Sequence, residues 1–306
     1  MDVIETTAGC RTLLDSARAA GRTVGLVPTM GALHEGHRSL LAAARDRCGF
    51  VAMTLFVNPL QFGQAGDLLA YPRTLEADLE VAERAGCDVV FQPAVPEMYP
   101  AGEPEVTVDP GPLADRLEGA ERPGHFDGVA TVVAKLFAAA GPCRAYFGLK
   151  DFQQLAVVRR MACDLCLPVD VVGCPIVREP DGLALSSRNV RLSDTERSAA
   201  QALSRALAAG RSAVVAGERD GAAVRNAMCA VTDQEPLVDL DYAVAVDATT
   251  LDEVTTIADP STVRLLIAAT VGPVRLIDNS AATTLDDHNE QPSAITNAHV
   301  SLERIG

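Results

Sequence analysis

Two histidines that lie three residues apart are the first side chains whose types and spacing suggest chemistry. His34 and His37 fall in the segment 28–37 (PTMGALHEGH), between an apolar run typical of a buried strand and a helical pattern. The N-terminus of a helix carries about half a positive charge and free N–H groups, so it attracts phosphate. Two imidazoles in this turn could donate to phosphate oxygens and stabilise charge that grows during transfer at phosphorus. A zinc-binding pair and a solvated turn without function are the alternatives.

The segment 147–154 (FGLKDFQQ) follows a second apolar run and contains Lys150, one of only two lysines in the chain. A lysine after a glycine turn is a suitable point charge for polyphosphate. Asp151 could accept a hydrogen bond from a ribose hydroxyl, or it could simply cap the helix that follows. The pattern favours a second phosphate-contacting segment, with helix capping as the simpler alternative.

A third segment, 181–189 (DGLALSSRN), offers Ser186, Ser187 and Arg188 on a glycine-led loop. Hydroxyl groups and a forked guanidinium are suited to binding phosphate. The segment lies where one predicted domain gives way to the next, which is the place for a loop that closes over a site. An ordinary polar linker is the alternative.

Neutral amides mark a fourth segment, 56–63 (FVNPLQFG), at the end of another apolar run. The amides of Asn58 and Gln61 can recognise the hydroxyl and carboxylate groups of a small substrate. Two further segments, 71–74 (YPRT) and 122–126 (RPGHF), would each be interpreted as a loop if they stood alone.

Alternating apolar runs and amphipathic patterns define the elements that must position these side chains. Helices are predicted at residues 10–21, 37–48, 75–85, 126–140 and 153–164, and strands at 22–28, 50–57, 88–92, 143–148 and 169–174. The alternation predicts an α/β fold, with a Rossmann-like doubly wound parallel sheet over residues 1–177. Ligands bind such a sheet at the carboxyl ends of its strands, where the histidine, amide and lysine segments fall.

The pattern changes after residue 177. The sequence there predicts helices at 194–216 and 220–232 and short strands at 240–246, 251–254 and 263–269. These elements predict a smaller α+β domain over residues 178–280 that closes over the site. Residues 281–306 are polar and patternless, and we expect them to form a mobile tail.

Charge and composition exclude several classes of partner. The chain has 306 residues and a formal net charge of −15, whereas a non-specific nucleic-acid binder needs a basic face. The first residues do not resemble a secretory signal, and no apolar run reaches the roughly 18 residues of a membrane span. The eight cysteines, including the pair Cys163 and Cys166, are interpreted as small core residues in a reducing compartment. We therefore expect a cytoplasmic protein that binds small molecules, with no nucleic-acid or membrane partner.

The chain resembles the pantothenate synthetase (pantoate–β-alanine ligase) family in six motifs that occur in the family's order: PTMGALHEGH, FVNPLQFG, YPRT, RPGHFDGV, FGLKDFQQ and GLALSSRN. HxGH alone marks only the wider nucleotidylyltransferase superfamily, so the ordered set is far more specific. The resemblance implies ATP-dependent condensation of (R)-pantoate with β-alanine to pantothenate. It further implies a pantoyl-adenylate intermediate, release of AMP and diphosphate, Mg²⁺ bound together with ATP, and a homodimer.

The resemblance also implies roles for individual positions. His37 matches the family's proton-donor histidine, Gln61 would contact pantoate and β-alanine, and Gln154 would bind pantoate. The loop that ends at Arg188 corresponds to the KMSKS segment of class I synthetases. The implied ATP site comprises Met30, Gly31, Ala32, Leu33, His34, Glu35, Gly36, His37, Gly148, Leu149, Lys150, Asp151, Val177, Leu185, Ser186, Ser187 and Arg188.

The chemistry itself needs positive charge and donors, because two anions, pantoate and the α-phosphate, must meet. The predicted catalytic residues that compensate their charge are His34, His37, Lys150 and Arg188. Asn58 is predicted to bind substrate beside Gln61. Asp78 is a candidate Mg²⁺ ligand, since Mg²⁺ prefers phosphate oxygens and one or two carboxylates.

Two positions depart from the family pattern, which usually has Glu where Leu149 stands and Met where Leu185 stands. Leu185 keeps a similar apolar volume, so a backbone contact should survive. Leu149 removes a carboxylate, and nucleotide affinity should fall if that group oriented Lys150 or a ribose.

Two other functions remain open at this stage. One is a nucleotidyl transferase that acts on a phosphate nucleophile. The amides of Asn58, Gln61 and Gln154 favour a hydroxy-acid substrate over a phosphate substrate and so disfavour this function. The other is a non-catalytic nucleotide-binding homologue, suggested only by Leu149 and Leu185. A tRNA synthetase is disfavoured by the acidic charge.

Overall fold

Six parallel strands form the larger of two sheets in the computed structural model, which describes residues 1–62, 68–69 and 71–283. The spatial order of the strands is β1-β4-β3-β2-β5-β6. The strands are β1 (Asp2–Ile4), β2 (Val24–Thr29), β3 (Phe50–Leu55), β4 (Val89–Phe91), β5 (Cys143–Gly148) and β6 (Val169–Cys174).

A smaller antiparallel sheet follows, with the order β7-β8-β9. Its strands are β7 (Val238–Asp247), β8 (Val263–Val271) and β9 (Val274–Ala281). The helices of the described residues are α1 (Thr7–Ala19), α2 (Glu35–Arg47), α3 (Leu75–Arg84), α4 (Val95–Met98), α5 (Glu118–Glu121), α6 (His125–Ala140), α7 (Phe152–Asp164), α8 (Asp194–Ala200), α9 (Ala202–Val215) and α10 (Gly221–Thr232).

The strand order creates a crevice between β2 and β5. The chain proceeds from β2 outward through β3 to β4 on one side, and from β5 to β6 on the other. β2 and β5 are neighbours, with Gly25 opposite Arg144 and Leu26 opposite Ala145. At such a switch point the connections leave in opposite directions and open a ligand site at the carboxyl ends. The predicted Rossmann-like doubly wound sheet is therefore confirmed.

Helices cover both faces of the parallel sheet, which explains its continuous apolar runs. Leu26 of β2 lies in one core cluster with Leu14 of α1 and Leu155 of α7. Its neighbour Val27 lies in a second cluster with Leu41 of α2. Successive strand side chains point to opposite faces, so one strand contributes to both cores and is held rigidly under the histidine segment.

The smaller sheet supports an α+β arrangement, as predicted. One face carries α9 and α10, and Leu207, Met228 and Leu265 share a third core cluster. The domain limits at 177 and 280 remain predictions. β9 ends at Ala281 and Ala282 is fully buried. Residues 284–306 of the predicted tail lie outside the described part of the chain.

Several predicted elements were wrong. The sequence pattern missed β1 and β9, and the predicted strand at 251–254 forms only one isolated bridge, between Val246 and Glu253. The predicted helix 194–216 is two helices that meet at Gln201. Cys163 and Cys166 are exposed rather than buried in the core. Within the described ranges, every helix is too short or too polar to cross a bilayer.

Candidate active site

A cleft of about 710 Å³ opens at the carboxyl ends of β2 and β5 and extends to β9 of the smaller sheet. This volume falls within the usual range of small-molecule sites, about 300–1,000 Å³. The predicted site residues that line it are Met30, His34, Gly36, His37, Gln61, Gly148, Lys150, Asp151, Gln154, Val177, Leu185, Ser186, Ser187 and Arg188. The structure thus brings together all four segments singled out in the sequence.

Seven predicted site residues do not line this cleft: Gly31, Ala32, Leu33, Glu35, Asn58, Asp78 and Leu149. Glu35 instead pairs with Arg38 on the surface of α2, with 2.9 Å between Oε2 and Nη1. Of the other six, Gly31, Asn58, Asp78 and Leu149 are buried, and Ala32 and Leu33 are half-buried.

The two histidines cap α2. His34 is the N-cap residue, and its Nδ1 accepts from the backbone N–H of Gly36 at 3.2 Å. Nδ1 of His37 accepts from the backbone N–H of His34, also at 3.2 Å. This is the reciprocal arrangement of a capping box, usually made by a Ser or Thr and a Glu or Gln. The helix therefore begins at Glu35 and not at His37 as predicted.

These contacts determine the proton positions on both rings. An Nδ1 atom that accepts carries no proton, so the neutral ring bears its proton on Nε2. Both rings line the cleft, and their centroids are 4.1 Å apart. Each ring thus keeps one Nε2–H donor that is not used in capping the helix.

The surroundings of both histidines favour the neutral ring. Burial lowers the pKa of His37 to about 4, and the neighbouring His34 contributes to the shift. Burial and the charge of Lys150 also lower the pKa of His34. The imidazoles therefore act as fixed dipoles, and the positive charge that we expected from them must come from the lysine and arginine side chains.

A buried carboxylate holds the turn between β2 and α2. Asp78 is 2% exposed, and its two oxygens accept from the backbone N–H groups of Ala32 (3.0 Å) and Leu33 (2.7 Å). Gly31 and Ala32 both have positive φ, 92° and 51°, a conformation that favours glycine. Asp78 therefore stabilises this strained turn through hydrogen bonds to its backbone. These contacts do not support the predicted role of Asp78 as a Mg²⁺ ligand.

Gln61 is the amide that faces the cleft, and Asn58 supports it. The Asn58 amide donates to Oε1 of Gln61 (3.2 Å) and to the carbonyl of Gly128 (3.0 Å). Its Oδ1 accepts from the hydroxyl of Tyr99 at 2.8 Å. Asn58 is 1% exposed and has its polar atoms satisfied by protein, so it positions Gln61 rather than lining the cleft as a substrate ligand.

Lys150 and Asp151 lie beside the histidine pair on a single 3₁₀ turn, Leu149–Asp151. Nζ of Lys150 is 3.6 Å from Oδ1 of Asp151, and its side chain is 18% exposed. Desolvation in the cleft raises the pKa of Asp151, but the charges of Lys150 and Arg188 outweigh it and leave that pKa below its ordinary value. The turn thus presents an ammonium group and an ionised carboxylate.

The loop that contains segment 181–189, here named the serine–arginine loop, forms another wall. The N–H of Leu185 donates to the carbonyl of Val177 at 2.9 Å, which keeps the two strands of the loop together. The N–H of Arg188 donates to Oγ of Ser186 at 3.2 Å. Ser187 and Arg188 are exposed, so their side chains are accessible to a ligand from solvent.

Sequence reasoning missed part of the cleft. His125 and Arg122 line it, with Nδ1 of His125 donating to the carbonyl of Gln61 at 2.9 Å. Burial and the charge of Arg122 lower the pKa of His125 to about 4. Their motif, RPGH, belongs to one of the six segments that resemble the family, but neither residue is among the predicted site residues.

The smaller sheet contributes a second group that the sequence did not reveal. Arg275 of β9 forms two hydrogen bonds with Glu118, at 2.6 and 2.9 Å. The hydroxyl of Tyr242 donates to the same carboxylate at 2.8 Å. All three residues line the cleft, so this network ties the wall of the larger sheet to the smaller one.

Leu149, one of the two positions that depart from the family pattern, does not line the cleft. Its side chain is 0% exposed and packs in the core beside Phe147 and Phe152. A side chain directed into the core neither orients Lys150 nor reaches a ribose. The structure therefore gives no support to the expected loss of nucleotide affinity.

Comparison with known proteins agrees with these motifs. The family model of pantoate-beta-alanine ligase matches residues 2–281. A pantothenate synthetase of Nocardioides sp. (strain ATCC BAA-499 / JS614) is 56% identical over 280 residues, covering 88% of this chain and 81% of that protein. A pantothenate synthetase of Roseiflexus sp. (strain RS-1) is 55% identical over 280 residues, covering 91% of this chain and 98% of that protein.

Solved structures show the same relationship. Pantothenate synthetase from Thermus thermophilus is 46% identical, with a TM-score of 0.85, and the match covers 92% of this chain and 100% of that one. A pantoate-beta-alanine ligase from Francisella tularensis, solved in complex with beta-gamma ATP and β-alanine, is 30% identical with a TM-score of 0.73, covering 92% of this chain and 98% of that one.

The fold, the cleft and these relatives define an enzyme that forms a carbon–nitrogen bond. The chain belongs to the pantoate–β-alanine ligase family. The resemblance inferred from six motifs is thereby confirmed, and the phosphate-nucleophile transferase and the non-catalytic homologue are set aside.

Proposed function

We propose that the protein uses ATP to condense (R)-pantoate with β-alanine in this cleft, and that a pantoyl adenylate is the intermediate. The observation that carries this proposal is the capping-box pair, His34 and His37, which presents two Nε2–H donors beside Lys150 at the β2–β5 crevice. Neutral donors next to a fixed cation are suited to an α-phosphate whose oxygens gain charge during transfer. The Francisella relative, solved with beta-gamma ATP and β-alanine, supports the choice of substrates.

In the first step, a carboxylate oxygen of pantoate attacks the α-phosphorus of ATP. A phosphorus–oxygen bond forms, the bond to the β-phosphate breaks, and diphosphate leaves. Gln61 and Gln154 line the cleft and would hold the hydroxyl and carboxylate groups of pantoate, since a primary amide both donates and accepts. Holding the two reactants in line removes much of the entropic barrier.

The charge in this step is compensated by groups on different elements. His34 and His37 donate from the N-terminus of α2, Lys150 approaches from the end of β5, and Arg188 approaches from the serine–arginine loop. Ser186 and Ser187 add hydroxyl donors on that loop. Because burial lowers the pKa of His37, its ring would act on the phosphate through the Nε2–H hydrogen bond.

In the second step, the β-alanine amine attacks the acyl carbon of the adenylate. A carbon–nitrogen bond forms, the acyl carbon–oxygen bond breaks, and AMP leaves with that oxygen. The β-alanine ammonium first loses one proton to solvent so that the neutral amine can attack, and the nitrogen loses a second proton to solvent as the amide forms. AMP is a far better leaving group than the oxide that a free carboxylate would have to expel, which is why the acid is activated first.

Mg²⁺ would enter with ATP, held mainly by phosphate oxygens. Among the described carboxylates that line the cleft, Glu118 and Asp278 are paired with Arg275 and Arg178. Asp151 is paired with Lys150, but its side chain is 52% exposed, so it is the cleft carboxylate that best fits a role beside the metal. Bound Mg²⁺ would neutralise phosphate charge and assist the departure of diphosphate.

An AMP-release assay with each substrate omitted in turn tests the proposed function. We expect sustained AMP release only when ATP, pantoate and β-alanine are all present, with one pantothenate formed per AMP. Formation of ADP and phosphate in place of AMP and diphosphate would contradict an adenylate.

We also propose that the enzyme acts as a homodimer in the cytoplasm, with residues 1–177 and 178–280 as its two domains. The homodimer follows from the family resemblance. Light scattering coupled to size-exclusion chromatography tests it, and a mass of one chain, 32.1 kDa, would contradict it.

A further inference from the structure

Asn279 of β9 contacts the backbone of the Lys150 turn from the opposite sheet. Its Nδ2 donates to the carbonyls of Leu149 and Lys150, each at 2.9 Å. Both carbonyls lie about 130 residues away in the sequence, at separations of 130 and 129. A single amide thus uses both of its donors on two consecutive peptide groups of the turn.

The Asn279 side chain is itself held in place. Its Oδ1 accepts from Nε of Arg264 at 2.8 Å, and the guanidinium of Arg264 lies over the ring of Phe152, 4.7 Å from its centroid. Asn279 is 2% exposed. With both donors and its acceptor engaged in a buried setting, the amide has one orientation, which fixes the positions of the two carbonyls.

The neighbouring residue connects the same strand to the serine–arginine loop. The backbone N–H of Asn279 donates to Oδ1 of Asp278 at 2.8 Å, and Asp278 forms a two-pronged ion pair with Arg178, at 2.6 and 3.0 Å. Arg178 lies at the start of the loop that contains Arg188. Two adjacent residues of β9 therefore contact two segments proposed to bind phosphate: Asn279 contacts the Lys150 turn, and Asp278 contacts the start of the serine–arginine loop.

We propose that Asn279 is a positioning residue of the ligase reaction, which fixes the Lys150 turn so that the ammonium group meets the triphosphate. The inference rests on the proposed phosphate role of Lys150. Leu149 is anchored in the core on one side and Lys150 faces the cleft on the other, so the two carbonyls are where the turn would otherwise be free to shift. A misplacement of about 1 Å in a reacting group can cost on the order of 100-fold in rate.

The test compares Asn279→Ala and Asn279→Asp with a matched control, Ser280→Ala. Ser280 is the next residue on β9 and is also buried, and its hydroxyl has no hydrogen-bond partner among the described residues. Asn279→Asp keeps the acceptor for Arg264 but replaces both donors with an oxygen that faces two carbonyls. It therefore remains informative if the alanine variant unfolds.

We expect kcat/KM for ATP to fall roughly 10–100-fold in both Asn279 variants, with the KM for pantoate unchanged, because Gln61 and Gln154 are not touched. Ser280→Ala should stay within about twofold of the wild type, as expected for a small change that removes no hydrogen bond. The decisive comparison is the double variant. If Asn279 acts through Lys150, adding Asn279→Ala to Lys150→Ala should have almost no further effect.

Three outcomes would overturn the proposal: Asn279 variants that behave like Ser280→Ala, a loss equally large in the Lys150→Ala background, or a parallel rise in the KM for pantoate. In each of these cases, the proposed function would still stand if Lys150→Ala alone caused a severe loss of kcat/KM for ATP. A Lys150→Ala enzyme with unchanged ATP kinetics would instead refute the phosphate role of Lys150, and the positioning role with it.

Discussion

The backbone N–H of His34 donates to Nδ1 of His37, so each of these two residues contributes both to a helix cap and to the wall of the cleft. Nδ1 of each ring accepts a backbone hydrogen bond, and Nε2–H is left for the ligand. The same contacts that begin α2 therefore fix the ring orientation and the tautomer before any substrate binds. Such preorganised donors need no rearrangement during the reaction, which is what makes them effective.

Replacement of His37 by asparagine separates these two roles. The amide oxygen of the introduced side chain can still accept from the N–H of His34, but the Nε2–H donor is lost. We expect AMP formation to fall by about 100–1000-fold, as for other lost transition-state donors, while Tm shifts by less than about 4 °C. Steady-state AMP release and thermal unfolding measure the two effects.

Arg38→Ala is the matched control for this variant, since Arg38 is the next residue on α2 and is exposed. It should retain wild-type activity. Near-normal AMP release from His37→Asn at saturating substrates would remove His37 from the mechanism.

The lowered pKa values of His37 and His125, both to about 4, predict how stability depends on pH. Above about pH 6.5 these rings are neutral in both the folded and unfolded chains and have no effect. As the pH falls from about 6.5 to 4, the unfolded chain binds these protons and the folded chain does not. The free energy of unfolding should then decrease by at most about 1.4 kcal/mol per pH unit for each group.

Urea unfolding at a series of pH values, in the wild type and in His37→Asn, measures this dependence. The variant should lose stability less steeply over the same window, because one of the groups is gone. Identical slopes for the two proteins would show that His37 titrates at its ordinary pKa in the folded state.

Asp78→Asn tests whether Asp78 holds the turn or binds Mg²⁺. An amide can accept from only one of the N–H groups of Ala32 and Leu33, and its own N–H₂ faces the other. Leaving a buried donor unpaired costs about 1–3 kcal/mol, so we expect lower stability and a higher KM for ATP.

A Mg²⁺ titration distinguishes the two roles of Asp78. Excess Mg²⁺ should not restore the activity of the variant, and Glu76→Gln, an exposed change on the same helix, should behave like the wild type. Full recovery at high Mg²⁺ would instead identify Asp78 as a metal ligand.

Leu149→Glu would introduce the residue that we associate with the family at this position. Because the side chain lies in the core, we expect a loss of several kcal/mol in the free energy of unfolding, the cost of burying an unpaired acid, and no improvement in the KM for ATP. Leu149→Met, a change of similar volume, should cost less than about 1.5 kcal/mol. A tighter KM for ATP at unchanged stability would mean that this side chain does reach the nucleotide.

The sequence predicted the central part of the fold well, for a physical reason. β2 and β3 are covered on both faces, so each is an uninterrupted apolar run, and the motifs that follow them fall at the correct edge of the sheet. β9 was missed because its last residues include the buried polar side chains of Asp278, Asn279 and Ser280. A strand that buries polar residues loses its apolar signature, and the partners of those residues lie too far away in the sequence to be recognised.

The same limit applies within the site. Asn58 and Asp78 were recognised as candidate functional residues, yet their contacts with Gly128 and Leu33 span 70 and 45 residues. Polar residue type alone does not distinguish a side chain that meets the ligand from one that holds the backbone behind it. The capping box of His34 and His37 was, by contrast, accessible in principle, since it depends only on a spacing of three residues.

The most direct test of the proposed acyl-adenylate reaction is to trace one oxygen atom of the pantoate carboxylate. Pantoate labelled with ¹⁸O in its carboxylate is incubated with the enzyme, ATP, Mg²⁺ and β-alanine, and the AMP is analysed by mass spectrometry. If the carboxylate attacks the α-phosphorus in this cleft, each AMP carries one labelled oxygen, and His37→Asn slows its formation. AMP without label, or label in diphosphate, would contradict the acyl adenylate and with it the role assigned to the two histidines.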